Sequence, residues 1–258
     1  MNEFLIDFVR LHDPDRFLTA LFAPPDKRGA LLALYAFNHE LARAREAVTE
    51  PALALIRLQW WREVVDGADR RHEVATPLSA ALRAGALAKS DLLALIDARE
   101  VEADPAIPTL AEWQGYVLAG AGGLAVAAGR LLGAVEPERL RPLGAAYGVA
   151  GILRSVPALA RQARCLLPED LLAGQDLSPE AVVLRPGTPA LAPVLARLRA
   201  EGLALLRAGS GLRLQRGAIA AALPAVLARR DLGRAASSRG RGIGDRLAVM
   251  LAAAAGRS

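Results

Sequence analysis

Residues 24–46 read PPDKRGALLALYAFNHELARARE, and this stretch decides the fold class. Pro25 suits the first turn of a helix, where its missing N–H would be unpaired anyway. Leu31, Leu34, Tyr35, Leu41 and Ala42 then recur at helical spacing. The helix is expected to run to about Val48, ahead of Glu50-Pro51. Outward from it the same grammar repeats. Short helices are predicted over Phe4–Leu11 and, with Asp15 as cap, through Phe22. Leu53–Val65 carries Ile56, Trp60 and Val64 four apart. Thr76-Pro77 opens a helix to Leu87, and Ser90 caps one to Ala98. Thr109 caps a long helix to Leu132, and Pro137 opens one to Val156 that Pro157 kinks or ends. Pro168-Glu169-Asp170 and Ser178-Pro179 begin short turns. Further helices are predicted from Thr188-Pro189 to Ala208, Leu214 to Arg229 and Asp245 to Ala255. No run keeps the period of a strand, no internal repeat is visible, and no linker separates domains. The expectation is one all-α domain over residues 1–258, a bundle of about ten helices.

Composition agrees. The 258 residues are 53% hydrophobic, 23% charged and only 4% aromatic. That is enough apolar matter for a core, and it is weighted to helix formers rather than strand formers. The net charge of +5 raises nucleic acid or an anionic membrane as partners. The arginines are spread along the chain, however, and no nucleic-acid motif accompanies them. The local exception, Arg229 to Arg241 with Gly and Ser between, reads either as a lipid-headgroup contact or as a solvated loop. The single cysteine, Cys165, allows neither an internal disulfide nor a cysteine zinc site. The N-terminus carries Glu3 and Asp7 and has no basic leader. The longest apolar run, the thirteen residues Val117–Gly129, falls short of a membrane span.

Tyr35 to Glu46, with the sequel Arg57-Leu58-Gln59-Trp60-Trp61-Arg62, resembles the first signature of squalene and phytoene synthases. Gly148 to Pro168, with Ile152-Leu153-Arg154 and Arg164-Cys165-Leu166-Leu167-Pro168, resembles the second. The resemblance implies an isoprenoid synthase fold and head-to-head condensation of prenyl diphosphates. In that family two DxxxD motifs face each other across a cavity. Carboxylates at i and i+4 share a helix face and can hold Mg²⁺ against a diphosphate leaving group. Here those four positions are Ala42, Glu46, Ser155 and Leu159. No catalytic residue and no metal site are therefore expected, and Mg²⁺ enters only if prenyl transfer survives. Glu46 alone is anionic, beside Arg43 and Arg45, and Glu40 is on the wrong side of the helix to help it. Phe37-Asn38, Glu40-Leu41-Ala42, Leu153-Arg154 with Pro157, and Leu167-Pro168 with Asp170 are similar to a degenerate branch of the family. That branch includes a mitochondrial assembly factor for respiratory complex I.

Ligand-binding candidates are Tyr35, His39, Arg43, Glu46, Arg57, Trp61, Arg154 and Arg164. Arg154, Arg164 and Arg57 could grip a phosphate without metal, or be satisfied by neighbouring carboxylates. His39 reads as a polar-pocket or surface residue. Of Trp60 and Trp61, one can be core while the other lines a groove. Gly120-Ala121-Gly122-Gly123 admits a close helix or a long apolar ligand. Asp66, Asp69 and the run Asp97, Glu100, Glu102, Asp104 read as a solvated acidic face. Three functions stand open: a non-catalytic relative acting in NADH dehydrogenase (complex I) assembly, with complex I subunits or intermediates as partners; an active prenyltransferase; and an isoprenoid- or lipid-binding protein. The cytoplasm is the expected compartment, with peripheral contact to the inner membrane, or the mitochondrial matrix in a eukaryote.

Overall fold

A computed structural model describes residues 2–46, 50–104, 106–212, 214–234 and 241–256. Among them there is no strand, only one isolated bridge between Ile107 and Pro168. The helices are α1 (Glu3–His12), α2 (Pro14–Ala20), α3 (Pro25–Glu46), α4 (Pro51–Asp66), α5 (Ala75–Arg83), α6 (Lys89–Glu100), α7 (Leu110–Val117), α8 (Gly123–Leu132), α9 (Arg141–Arg161), α10 (Glu169–Ala173), α11 (Pro179–Leu184), α12 (Ala192–Ala208), α13 (Pro224–Gly233) and α14 (Ile243–Ala255). The all-α bundle expected above is what the described residues adopt, with more and shorter helices than the expected ten.

Prolines and caps explain most boundaries. Pro25 and Pro51 open α3 and α4, and Thr109 Oγ1 accepts the Glu112 N–H at 3.2 Å to start α7. Several expectations are corrected. Asp13, not Asp15, caps α2: its carboxylate accepts from the Arg16 N–H at 3.0 Å, with Pro14 as the first helical residue. Ser90 lies inside the first turn of α6, which starts at Lys89 without a side-chain cap. Ser178 begins a true helix, α11, accepting from the Ala181 N–H. Pro224 divides the helix expected over Leu214–Arg229 into a 3₁₀ turn, Arg216–Ala221, and α13. Pro157 does not end α9, which runs on to Arg161. Pro157 is exposed on the bundle surface, where its ring and the loss of one ladder hydrogen bond are tolerated.

α9 is the central post. It packs against α8, α12, α13 and the π-helical stretch Leu118–Gly122 that joins α7 to α8. The glycines are what permit that approach. A Cβ on Gly122 would lie 2.8 Å from the Arg141 carbonyl oxygen, and one on Gly144 would lie 2.5 Å from that of Ala121. Close helix packing is thus one use of the Gly120–Gly123 cluster. Leu110–Leu132 and Pro137–Arg161 are each long and apolar enough to cross a membrane by length and composition. More than half of each is buried against the rest of the bundle, as core helices are.

Candidate functional site

Three of the degenerate motif positions, Ala42, Ser155 and Leu159, line a cavity of about 220 Å³. α3 contributes Ala42 and Asn38, and α9 contributes Ser155, Leu159, Gly148 and Gly151. Gly120 also faces this space, and no atom lies within 4 Å of where its Cβ would be. The Gly cluster therefore serves both readings, Gly122 for packing and Gly120 for an opening. At two positions where carboxylates would face a metal, the wall carries a methyl group and a hydroxyl, and at a third an isobutyl group. The side chain of Glu46 lies outside the described residues.

The polar end of the cavity is an ionic cluster that the sequence reading did not find. Glu102, read above as solvated, is only 5% exposed. Its carboxylate accepts from Arg99 and from Arg164, and from the Tyr116 hydroxyl at 2.7 Å. Arg99 also donates to Asn38 Oδ1 at 3.1 Å, which ties the cluster to α3. Burial alone would raise the Glu102 carboxyl pKa. The charges of Arg99 and Arg164, with hydrogen bonds from Tyr116 and Arg99, outweigh it and hold the group below the usual carboxylate range. The same burial, with the Glu102 charge beside it, raises the Tyr116 phenol. Arg164 is delivered by the turn after α9. Ala163 takes a left-handed conformation (φ 55°), the Arg164 N–H returns to the Leu159 carbonyl at 2.9 Å, and Trp113 Nε1 donates to Leu166 O at 2.9 Å.

Deeper in, the interior is closed by Arg16. Its guanidinium lies 4.8 Å from the Tyr147 ring centroid and 5.7 Å from that of Tyr35, and pairs with Asp13 at 2.7 Å. Behind it, between α8, α9 and α13, the remaining void is about 10 Å³, room for one water at most. Tyr35 is core, with its phenol pKa raised by burial.

A second, outer cavity of about 450 Å³ shares Tyr147 and Ser155 with the first. Asp15, Arg154 and Arg241 on its wall form a ring with Asp231. Arg241 bridges Asp15 at 2.6 Å and Asp231 at 2.6 Å, Arg154 reaches Asp231 at 3.0 Å, and Tyr147 donates to Asp15 at 3.1 Å. Burial would raise the Asp15 carboxyl, but Arg241, then Arg154 and Tyr147, hold it low. Arg241 is therefore an ion-paired tie and not part of a solvated loop, and Arg154 is satisfied by carboxylates. Arg239 lies outside the described residues.

Of the sequence candidates, Arg164 lines the inner cavity and Arg154 the outer one. Among the described side chains, the other candidates do not line the inner cavity. Trp61 is core, edge-on to Phe37 at 5.3 Å and to Trp60 at 4.8 Å. Arg57 is exposed, and Arg43 pairs with Glu40 at 3.4 Å. His39 stacks on His12 at 4.6 Å and edge-on to Phe8, and its Nε2 is buried without a partner. Burial, with His12, Arg43 and Arg99 nearby, lowers its pKa from 6.5 to about 4. Asp97 and Glu100 are surface partners of Arg62, as the solvated reading had them. Arg16, Arg99, Tyr116 and Tyr147 were not singled out from sequence, and Glu102 was read there only as part of a solvated face. The i,i+3 spacings Asp13–Arg16 and Arg99–Glu102 were the available signal.

The squalene/phytoene synthase family model matches residues 9–251. The chain belongs to this family. Its relatives include a bovine (Bos taurus) protein named NADH dehydrogenase (ubiquinone) complex I, assembly factor 6, which is 29% identical over 187 residues, 69% of this chain and 56% of that one. The human (Homo sapiens) protein of that name is 27% identical over 192 residues, 71% and 58% of the two chains. The chain thus spans just over half the length of these curated relatives. A dehydrosqualene synthase solved with a ligand superposes with a TM-score of 0.79 at 14% identity, covering 98% of this chain and 95% of that one. A squalene synthase HpnC from Alicyclobacillus acidocaldarius gives 0.65 at 17% identity, covering 98% and 93%. The described residues hold no group of three or more His, Cys, Asp or Glu placed to take a metal ion.

Proposed function

We propose that this chain is a non-catalytic squalene/phytoene synthase homologue acting in the assembly of respiratory NADH dehydrogenase. The observation that carries the reading is the inner cavity. Ala42, Ser155 and Leu159 stand at three of the four positions where the family places metal-binding carboxylates. The buried carboxylate nearby, Glu102, is taken up by Arg99 and Arg164. Two further facts support it. The void behind Arg16 is only about 10 Å³, and the inner cavity's about 220 Å³ is below the roughly 300–1,000 Å³ of small-molecule pockets. The relatives named above carry the assembly role in their names. On this reading the chain needs no cofactor, its partners are complex I subunits or intermediates, and it works at the membrane that carries them.

The test has two arms. Purified protein with Mg²⁺ and farnesyl or geranylgeranyl diphosphate is expected to release no diphosphate beyond a denatured control. Release above that control would establish prenyl transfer and end the non-catalytic reading. Deleting the gene in its own host should reduce fully assembled complex I on native gels, and the wild-type gene should restore it. An unchanged complex I level would end the assembly reading.

A further inference from the structure

α14 has one face in the bundle and one face on nothing. Asp245 and Val249 turn inward, and Arg230 and Arg234 clamp the Asp245 carboxylate at 2.6 and 3.2 Å. Asp245 also accepts the Gly242 N–H at 3.1 Å, capping its own helix. The opposite face carries Ile243, Leu247, Met250 and Leu251, which are 79%, 50%, 52% and 70% exposed. At about 100° per residue these four and Ala254 fall within one arc of about 100°. The stripe is about 17 Å long. The other large exposed apolar side chains form no such stripe: Leu11, Leu21, Val135 and Leu184 are on separate elements, and Leu53, Leu55 and Ile56 are spread around α4.

The charge at its edges says what covers it. Arg246 is exposed along one edge. On the other, the Arg230 guanidinium lies 3.3 Å from where a Cβ on Gly244 would be. The described residues of α13, α14 and the segment between them hold five arginines, Arg229, Arg230, Arg234, Arg241 and Arg246, against two aspartates, Asp231 and Asp245. Both aspartates are already paired with arginine. An apolar helical stripe rimmed by guanidinium groups has the chemistry of an interfacial helix, with its chains in the acyl boundary and its cations among anionic headgroups. A protein partner would need carboxylates on both sides of an apolar ridge, whereas an anionic bilayer supplies that pattern everywhere.

We infer that α14 is a membrane-docking element that seats the protein on an anionic bilayer surface through Ile243, Leu247, Met250 and Leu251. This inference is independent of the assembly role. The experiment is co-sedimentation of the full chain with vesicles of phosphatidylcholine alone and of phosphatidylcholine with phosphatidylglycerol. Binding to the anionic vesicles should be at least about 10-fold stronger than to the neutral ones and should weaken with salt. Leu247→Ser/Leu251→Ser should lower it about 10-fold or more, with helical circular dichroism and Tm unchanged because both leucines are half exposed or more. Should that pair unfold, the single Met250→Gln serves, with a smaller loss in the same direction. Equal, weak binding to both vesicles would overturn the inference. So would wild-type binding by the folded serine variant, which would leave scattered arginines as the whole attraction. A wild-type dimer that the variant lacks, with no vesicle binding by either, would assign the stripe to a second copy instead.

Discussion

The inner and outer cavities each hold a carboxylate–guanidinium network, but the two are built differently. Inside, one carboxylate, Glu102, is shared by Arg99 and Arg164, and both partners are largely enclosed. Outside, two carboxylates, Asp15 and Asp231, are bridged by Arg241 and approached by Arg154 beside an open cavity. Among the described residues the inner cluster sets one carboxylate against two guanidinium groups, whereas the outer ring sets two against two. Removing one member therefore strands charge in a low-dielectric place in the first case and in a wetter one in the second. In a family whose reaction needs carboxylates facing a metal, the inner arrangement turns the local field around. Glu102 there ties helices together through Arg99 and Arg164.

Replacing Glu102 is the sharpest way to break the contrast. Glu102→Leu takes the shared carboxylate away from Arg99 and Arg164 and should destabilise by about 3–5 kcal/mol in urea titration. The triple change Glu102→Leu/Arg99→Met/Arg164→Met removes the charges together and should recover most of that loss. If the triple variant is no more stable than the single one, the cluster is more than an ion trio. In the outer ring, Asp15→Ala should cost about 1–3 kcal/mol, because water can reach Arg241 and Arg154 once their partner is gone. A loss as large as that of Glu102→Leu would show the two networks to be equivalent.

Acid separates the networks from the histidine stack. His39 has its pKa lowered from 6.5 to about 4 in the fold, so the unfolded chain takes up the proton first. Its contribution is whole above pH 6.5 and is lost as pH falls from 6.5 to about 4. Glu102 and Asp15 are held below the ordinary carboxylate range, so their contributions are lost only at still lower pH. Tm measured against pH should therefore fall in two stages, and His39→Phe, stacking on Phe8, should flatten the first alone. A first stage that persists in this variant would assign it elsewhere. The smallest effect belongs to Arg57→Ala. This exposed cation should change stability by less than about 0.5 kcal/mol.

The architecture was legible because local chemistry wrote it. Pro25 and Thr109 mark helix starts wherever they fall, and the stripe Leu31, Leu34, Tyr35, Leu41 needs only its spacing to be read. The inner site was not legible, because its burial is made by partners far away in sequence. Glu102 sits in a run of acids that looks solvated, and it becomes core only when Arg164, 62 residues later, folds over it. Asp15 was assigned the cap that Asp13 supplies. Pro14 in the first turn selects the residue before it, which frees Asp15 to face a residue near the other end of the chain. Trp61 shows the converse, a motif residue whose place is set by packing on Phe37 and not by the cavity.

The tie between Asp15 and Arg241 spans 226 residues. At about 5–20 residues per second on a ribosome, roughly 10 to 45 seconds pass between the synthesis of the acid and the arrival of its base. Throughout that interval α2 carries a carboxylate with no counterion from Arg241. The closing step of folding is therefore scheduled by translation itself. A growing chain has an open seam at Asp15, and only the arrival of Arg241 can shut it.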